Sequence, residues 1–363
     1  MKDLQREVEE ILKSAVEEGR ELGIQAAAYC RGEWIVDAWA GRADRSTGKP
    51  VKEDTLFPVF SATKGVSATV LHILAEQGKL DYDMRMAELW PEFGCNGKES
   101  ITIRHVLNHT SGLPHFPPEA GLKEAADWET MCGKLAKLAP LSPPGQRVEY
   151  HAVTFGWLVG EIARRADGRP FPRLVEEEIC SPLGIRDLYV GLPGELEARV
   201  AVLEEPAAGK PPQDERQLLA MPAWMWPPHE LMNQPLLHRS CMPASSGIMS
   251  AKALAKHYAA LLPGGIDGVR LLSLQRVKLA AAPLELEGTA LPVGLGYQLG
   301  LSSGTAAERR LTVFGHEGYG GSIGFADLDC QLAVGITHNL FSSGKAAPAI
   351  IEAITRSIMS RSG

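Results

Sequence analysis

Phe60-Ser61-Ala62-Thr63-Lys64-Gly65 is the stretch on which the fold turns. It follows Phe57-Pro58-Val59 and opens a run, Thr63 to Gln77, that reads as a helix ending at Gly78. Residues three apart on a helix share a face, so Lys64 brings its amine close to the Ser61 hydroxyl. A serine hydroxyl is a poor nucleophile until a base takes its proton, and a neutral lysine can be that base. Burial and the positive end of the helix dipole both push a lysine pKa down toward that state. The dipole also favours negative charge developing at Ser61. Alone, the spacing is more often a helix cap followed by a solvated lysine, so the surroundings decide.

Working outward, Ile103-Arg104-His105-Val106-Leu107-Asn108-His109-Thr110-Ser111-Gly112-Leu113 comes next. Pro144-Gly145, Glu149-Tyr150-His151 and Phe155-Gly156-Trp157-Leu158 follow, then Pro182-Leu183-Gly184-Ile185 and Gly191-Leu192-Pro193. Phe314-Gly315-His316-Glu317-Gly318 leads to Gly320-Gly321-Ser322 near the end. Each piece is modest, but the ordered set runs over nearly the whole chain. It resembles the serine β-lactamase and penicillin-binding-protein-like superfamily, whose signature includes S-x-x-K. Within it, the chain is most similar to the class C β-lactamase-like esterases, the family VIII carboxylesterases. The resemblance implies an α/β (α+β) fold of the β-lactamase/DD-peptidase type, an antiparallel sheet flanked by helices with an inserted mainly helical domain.

It also implies roles. Tyr150 would face Ser61 and share the base role with Lys64. A phenol near an ammonium ionises more easily, so the pair could pass a proton to the leaving group. Ala152 stands where Tyr-x-Asn would place an asparagine, which removes an amide that would hold an acylamide substrate. The edge strand carries His316, Glu317 and Gly318 where lactamases have Lys-Thr-Gly. The amides of Ser61 and Tyr319 would form the oxyanion hole; losing one such donor can cost roughly 2.7–4 kcal/mol of barrier. With a mostly neutral histidine and the negative Glu317 in place of the lysine, the resemblance implies neutral esters rather than anionic β-lactams.

Periodicity supplies the organisation. Leu4, Val8, Ile11, Leu12 and Val16 mark an amphipathic first helix, not a signal peptide. Ile24–Cys30 and Trp34–Ala40 read as strands joined by Arg31-Gly32-Glu33, with a polar loop from Gly41 to Asp54. Helical patterns follow at Phe155–Arg165, Phe171–Ile179 and Ser250–Leu262, with loops at Pro114–Pro118 and Pro206–Pro212. Strand character returns at Gly296–Leu301, Thr312–Gly315, Gly321–Asp327 and Leu332–Asn339, and Ala346–Met359 reads as a closing helix. Strands at both ends and helices between predict one sheet domain from residues 1–80 and 244–363, with 81–243 inserted.

Composition excludes other classes. Over 363 residues, the net charge of -7 and the lack of a basic cluster argue against nucleic acid and anionic membranes. No stretch approaches the ~18 apolar residues of a membrane span. The six cysteines are scattered without a CxxC pair, which fits free thiols in a reducing cytoplasm. His105 and His109 have zinc-ligand spacing but no third ligand, so no metal is expected. There is no G-x-S-x-G elbow and no dinucleotide loop. Trp34, Trp39, Trp90, Trp128 and Trp157 read as core; Trp224-Met225-Trp226, bounded by prolines, reads as a loop that packs or lines an acyl pocket.

The reading is a serine hydrolase that cleaves small carboxylic esters through a Ser61 acyl-enzyme, with a small-molecule ester as substrate, no cofactor, and neither nucleic acid nor membrane as partner. Three alternatives share the sequence. An acyltransferase would use the same nucleophile. A β-lactamase or D-amino-acid peptidase is opposed by His316 and Glu317. A non-catalytic binding protein is opposed by the intact Ser61, Lys64 and Tyr150.

Overall fold

The computed structural model describes residues 2–206, 211, 213–301, 310–341 and 346–360. Most of the Pro206–Pro212 loop therefore lies outside the described residues. Helix α1 (Lys2–Glu17) leads into strands β1 (Gly23–Cys30) and β2 (Glu33–Asp44). Arg31 and Gly32 both have positive φ, 49° and 93°, the geometry that turns a two-residue hairpin with the twist of its strands. The polar loop expected over 41–54 is partly strand. β2 runs on to Asp44, and β3 (Lys49–Pro50) pairs with it. Edge pairing needs only backbone groups, which polar side chains do not reveal.

Next come β4 (Phe57–Pro58) and α2 (Thr63–Glu76), and later β5 (Leu188–Val190) and β6 (Gly247–Met249), which form a small sheet in the order β4-β6-β5. After a hairpin of β7 (Leu284–Leu286) and β8 (Thr289–Leu291), the chain adds β9 (Gln298–Leu299), β10 (Val313–Glu317), β11 (Ile323–Asp327) and β12 (Leu332–His338). The main sheet is antiparallel, in the order β3-β2-β1-β12-β11-β10-β9. First and last strands meet in register, from Ile24 opposite His338 to Cys30 opposite Leu332. This is the mixed α/β architecture, an antiparallel sheet flanked by helices, that the resemblance implies.

Alternation along β1 sorts the two faces. Ile24, Ala26, Ala28 and Cys30 pack under α1 and the helix Ala346–Met359. Ala27 faces Ala251 and Ala255 of the helix Ala251–Ala259 on the other side. Ser250 caps that helix by accepting from the Ala253 amide. α2 differs from a surface helix: every residue from Thr63 to Ala75 is buried, so apolar residues lie on all its sides and its polar ones, among them Lys64, Ser67, Thr69 and His72, are hydrogen-bonded inside the protein. Between the two halves of the sheet, the described residues are mainly short helices and loops, anchored by Thr154–Asp167 against α2.

Two expectations change. Phe171–Ile179 is not one regular helix: Phe171–Leu174 is followed by a π-helical segment, Val175–Cys180. Trp39 is not core; it is 42% exposed on β2, where alternation turns it outward, whereas Trp90 and Trp157 are buried. No helix among the described residues is long and apolar enough to cross a membrane.

Candidate active site

Ser61 lies in a single 3-10 turn, Phe60–Ala62, that runs directly into α2. Phe60 has φ +48°, a conformation that costs any residue with a Cβ and persists only where its surroundings fix it. Thr63 does much of that fixing. Its hydroxyl donates to Phe60 O at 2.5 Å and accepts from the Gly247 amide at 2.9 Å. Val59 N–H adds a bond to Gly247 O, which ties the turn to β6.

Lys64 is fully buried one turn later, with Nζ 3.0 Å from Ser61 Oγ. Nζ also donates to Ala152 O at 2.7 Å and Ala244 O at 3.1 Å. Ser67, on the same face of α2, donates to Pro243 O and so holds the segment that carries Ala244. Gly156 makes the fit possible, since a Cβ there would come within 2.4 Å of Ala244 N. Among the described residues, no carboxylate pairs with Lys64. Desolvation therefore acts unopposed and pushes its pKa well below the usual lysine value. The expected direction holds, and burial is the cause.

Tyr150 comes from the other side of the cleft. It is 41% exposed over its whole surface, yet its hydroxyl lies near enough to Ser61 for the serine to draw its pKa down. Lys64 Nζ sits 4.8 Å from its ring centroid. One expectation fails here. The phenol is not eased toward ionisation. Burial raises its pKa, the neighbouring Ser61 only partly offsets this, and the Glu317 charge raises it further.

The end of β10 closes the third side. Gly318 lies so close to the turn that a Cβ would fall 2.0 Å from Val59 O and 3.4 Å from Ala62 N. Tyr319 follows, its ring 5.7 Å from that of Phe60 and its hydroxyl donating to Glu205 Oε1 at 2.8 Å. Its amide makes no backbone hydrogen bond among the described residues. His316 is buried and donates Nδ1–H to Glu317 O at 2.7 Å, which leaves Nε2 as a bare acceptor without a partner among the described residues. Burial, then the nearby Lys64, depress its pKa to about 3. Glu317 is exposed, its amide bound to Gln298 Oε1.

An apolar pocket of about 40 Å³ adjoins the turn, lined among others by Phe60, Val153, Trp224, Met225 and Met242. Trp226 packs edge-on against Tyr319. The sequence pointed to the tryptophan loop but not to Ser67, Thr63 or Glu205. Ser67 alone carried a signal, since positions 61, 64 and 67 follow one helix face.

Comparison with known proteins adds the lineage. Residues 8–356 match the family described as Beta-lactamase. The chain belongs to the Beta-lactamase family. The esterase/beta-lactamase LipL of Mycobacterium tuberculosis is 37% identical over 338 residues, which cover 88% of this chain and 78% of LipL. A solved family VIII carboxylesterase superposes with a TM-score of 0.87 at 30% identity, covering 97% of each chain. A penicillin-binding protein homologue from Caulobacter crescentus gives 0.84 at 34% identity over 98% of each. As a Beta-lactamase family member with esterase relatives, the protein is a serine hydrolase, and at family level a serine ester hydrolase.

Proposed function

We propose that this protein hydrolyses small, uncharged carboxylic esters through an acyl-enzyme on Ser61. The carrying observation is the arrangement around Lys64 Nζ. Two carbonyls take its two N–H groups, so the lone pair of a neutral amine is left toward Ser61 Oγ, 3.0 Å away. Lys64 takes the Ser61 proton as Ser61 Oγ attacks the ester carbonyl. The amides of Ser61 and Tyr319, on adjoining segments, receive the oxyanion. The ester C–O bond then breaks, and Tyr150, a neutral phenol, gives its proton to the departing alcohol while drawing one from the Lys64 ammonium. Water attacks the acyl-enzyme, loses a proton to the same pair, and Ser61 leaves with its hydroxyl restored.

The neutral His316 and the Glu317 carboxylate support uncharged substrates, since neither holds a carboxylate as a lysine would. The narrow apolar pocket supports a short acyl chain. The scattered cysteines support a reducing cytoplasm as the compartment. A panel of acetyl to hexanoyl p-nitrophenyl esters, amides and nitrocefin, on wild type and Ser61→Ala, tests the reading. Expected are ester turnover that needs Ser61, a phosphonate adduct on Ser61 by intact mass, and nitrocefin turnover at least ~100-fold slower, the scale of an unpaired carboxylate. Release of free acid, undiminished by added alcohol, separates hydrolysis from acyl transfer. Nitrocefin turnover equal to that of the esters would sink the neutral-ester reading.

A further inference from the structure

Tyr150 lies in a stretch, residues 136–153, without helix or strand. No regular backbone ladder fixes its phenol, so side chains must. His109 meets it three times. The His109 carbonyl accepts from the Glu149 amide at 2.9 Å. Its Nδ1 accepts at 3.3 Å from the His151 amide, which is the N–H of the peptide bond leaving Tyr150. Its ring stands 4.9 Å from the Tyr150 ring and 5.2 Å from Phe155. His109 is itself held in a left-handed conformation, φ +61°, and is buried.

His151 completes the brace. The Leu113 amide donates to its Nε2 at 3.3 Å, so Nε2 is the acceptor and also receives Ser111 Oγ–H at 2.7 Å. Its Nδ1–H is then free to donate to Glu149 O at 2.6 Å. The residues on both sides of Tyr150 are thus fastened to the segment 109–113. Burial holds His109 neutral, so its contribution is geometric.

We infer that His109 is a positioning residue for Tyr150, setting the phenol toward Ser61 through its ring contact and its Nδ1 acceptor. The inference rests on the reading of Tyr150 as proton carrier. Misplacing a proton donor by about 1 Å can cost on the order of 100-fold in rate.

A double-mutant cycle tests it: kcat/KM for p-nitrophenyl acetate with wild type, H109F, Y150F and H109F/Y150F, each rate normalised to the folded fraction from near-UV circular dichroism. H109F keeps a flat ring but has no acceptor. Expected are a loss of roughly 100-fold or more for Y150F, a loss of roughly 10- to 100-fold for H109F, and less than ~3-fold further loss when H109F is added to Y150F. Should H109F not fold, H109N takes its place in the cycle, because asparagine accepts the left-handed backbone while removing the ring. Independent, multiplicative losses would overturn the positioning role while leaving Tyr150 catalytic. A Y150F enzyme within ~3-fold of wild type would instead overturn the reading of Tyr150, and the brace with it.

Discussion

Lys64 Nζ lies 3.0 Å from Ser61 Oγ, and its other two contacts are the Ala152 and Ala244 carbonyls. A lysine held this way has acceptors for two protons, no carboxylate partner among the described residues, and no water-facing surface. The same burial that favours its neutral form is a burden on the fold.

Removing either partner ends the chemistry by different amounts. Ser61→Ala removes the nucleophile, and ester turnover should fall to background. Lys64→Ala keeps the nucleophile but loses its base, and kcat should fall by roughly 10²–10⁴-fold. Steady-state assays with p-nitrophenyl acetate check both, and a Lys64→Ala enzyme within tenfold of wild type would remove Lys64 from the mechanism.

The pH dependence of kcat/KM should follow the amine. Because the Lys64 pKa is pushed well below 10.5 by burial, the active, neutral form persists to lower pH than for a solvated lysine. Activity should fall on acidification as Lys64 takes up a proton, and should be level through mildly alkaline pH. A rate that climbs steadily toward pH 10.5 would mean an ordinary, charged lysine.

Stability should carry the opposite mark of the same burial. Between the folded pKa and the unfolded value of 10.5, the unfolded chain binds a proton at Lys64 that the folded chain does not. Stability attributable to this group therefore rises with pH over that window, by up to ~1.4 kcal/mol per pH unit. Lys64→Met should flatten the rise seen by urea denaturation from about pH 7 to pH 10. An unchanged slope would show that the amine is charged in the folded protein.

Gly318 should tolerate no side chain. A Cβ there would meet Val59 O at 2.0 Å, so Gly318→Ala must move either the end of β10 or the Ser61 turn. We expect a Tm lower by several degrees, the scale of about 1–3 kcal/mol of overpacking, and kcat lower by at least ~10-fold from the displaced oxyanion site. Wild-type kcat together with wild-type Tm would show that the close approach is not needed.

The tryptophan loop should set acyl length. Trp224 lines the pocket beside Phe60 and Met225. Trp224→Ala should raise the ratio of hexanoate to acetate kcat/KM by ~10-fold or more, since each methylene a pocket accepts is worth roughly 1–3 kcal/mol. An unchanged ratio would place the acyl chain elsewhere.

Much of this was legible before any coordinates. The strands at Ile24–Cys30 and Leu332–Asn339 announce themselves by short apolar runs, and the closing helix by its period. What stayed hidden depends on groups without a sequence pattern: the β2–β3 edge, the small β4-β6-β5 sheet, the outward turn of Trp39, and the Thr63, Ser67 and Glu205 contacts. The sign of the Tyr150 shift was also hidden, because it depends first on how deeply the phenol is buried, which only the packed structure sets.

By itself, the sequence determined the spacing of Ser61 and Lys64 and the order of the strands, because helical period and hydrophobic alternation are local and fix which residues share a face. Only the tertiary structure decided which carbonyls surround the amine, that Tyr150 meets Ser61 as a neutral phenol, and that Gly318 abuts Val59. Those outcomes depend on desolvation and contact between segments that lie from tens to hundreds of residues apart, and no local pattern encodes them.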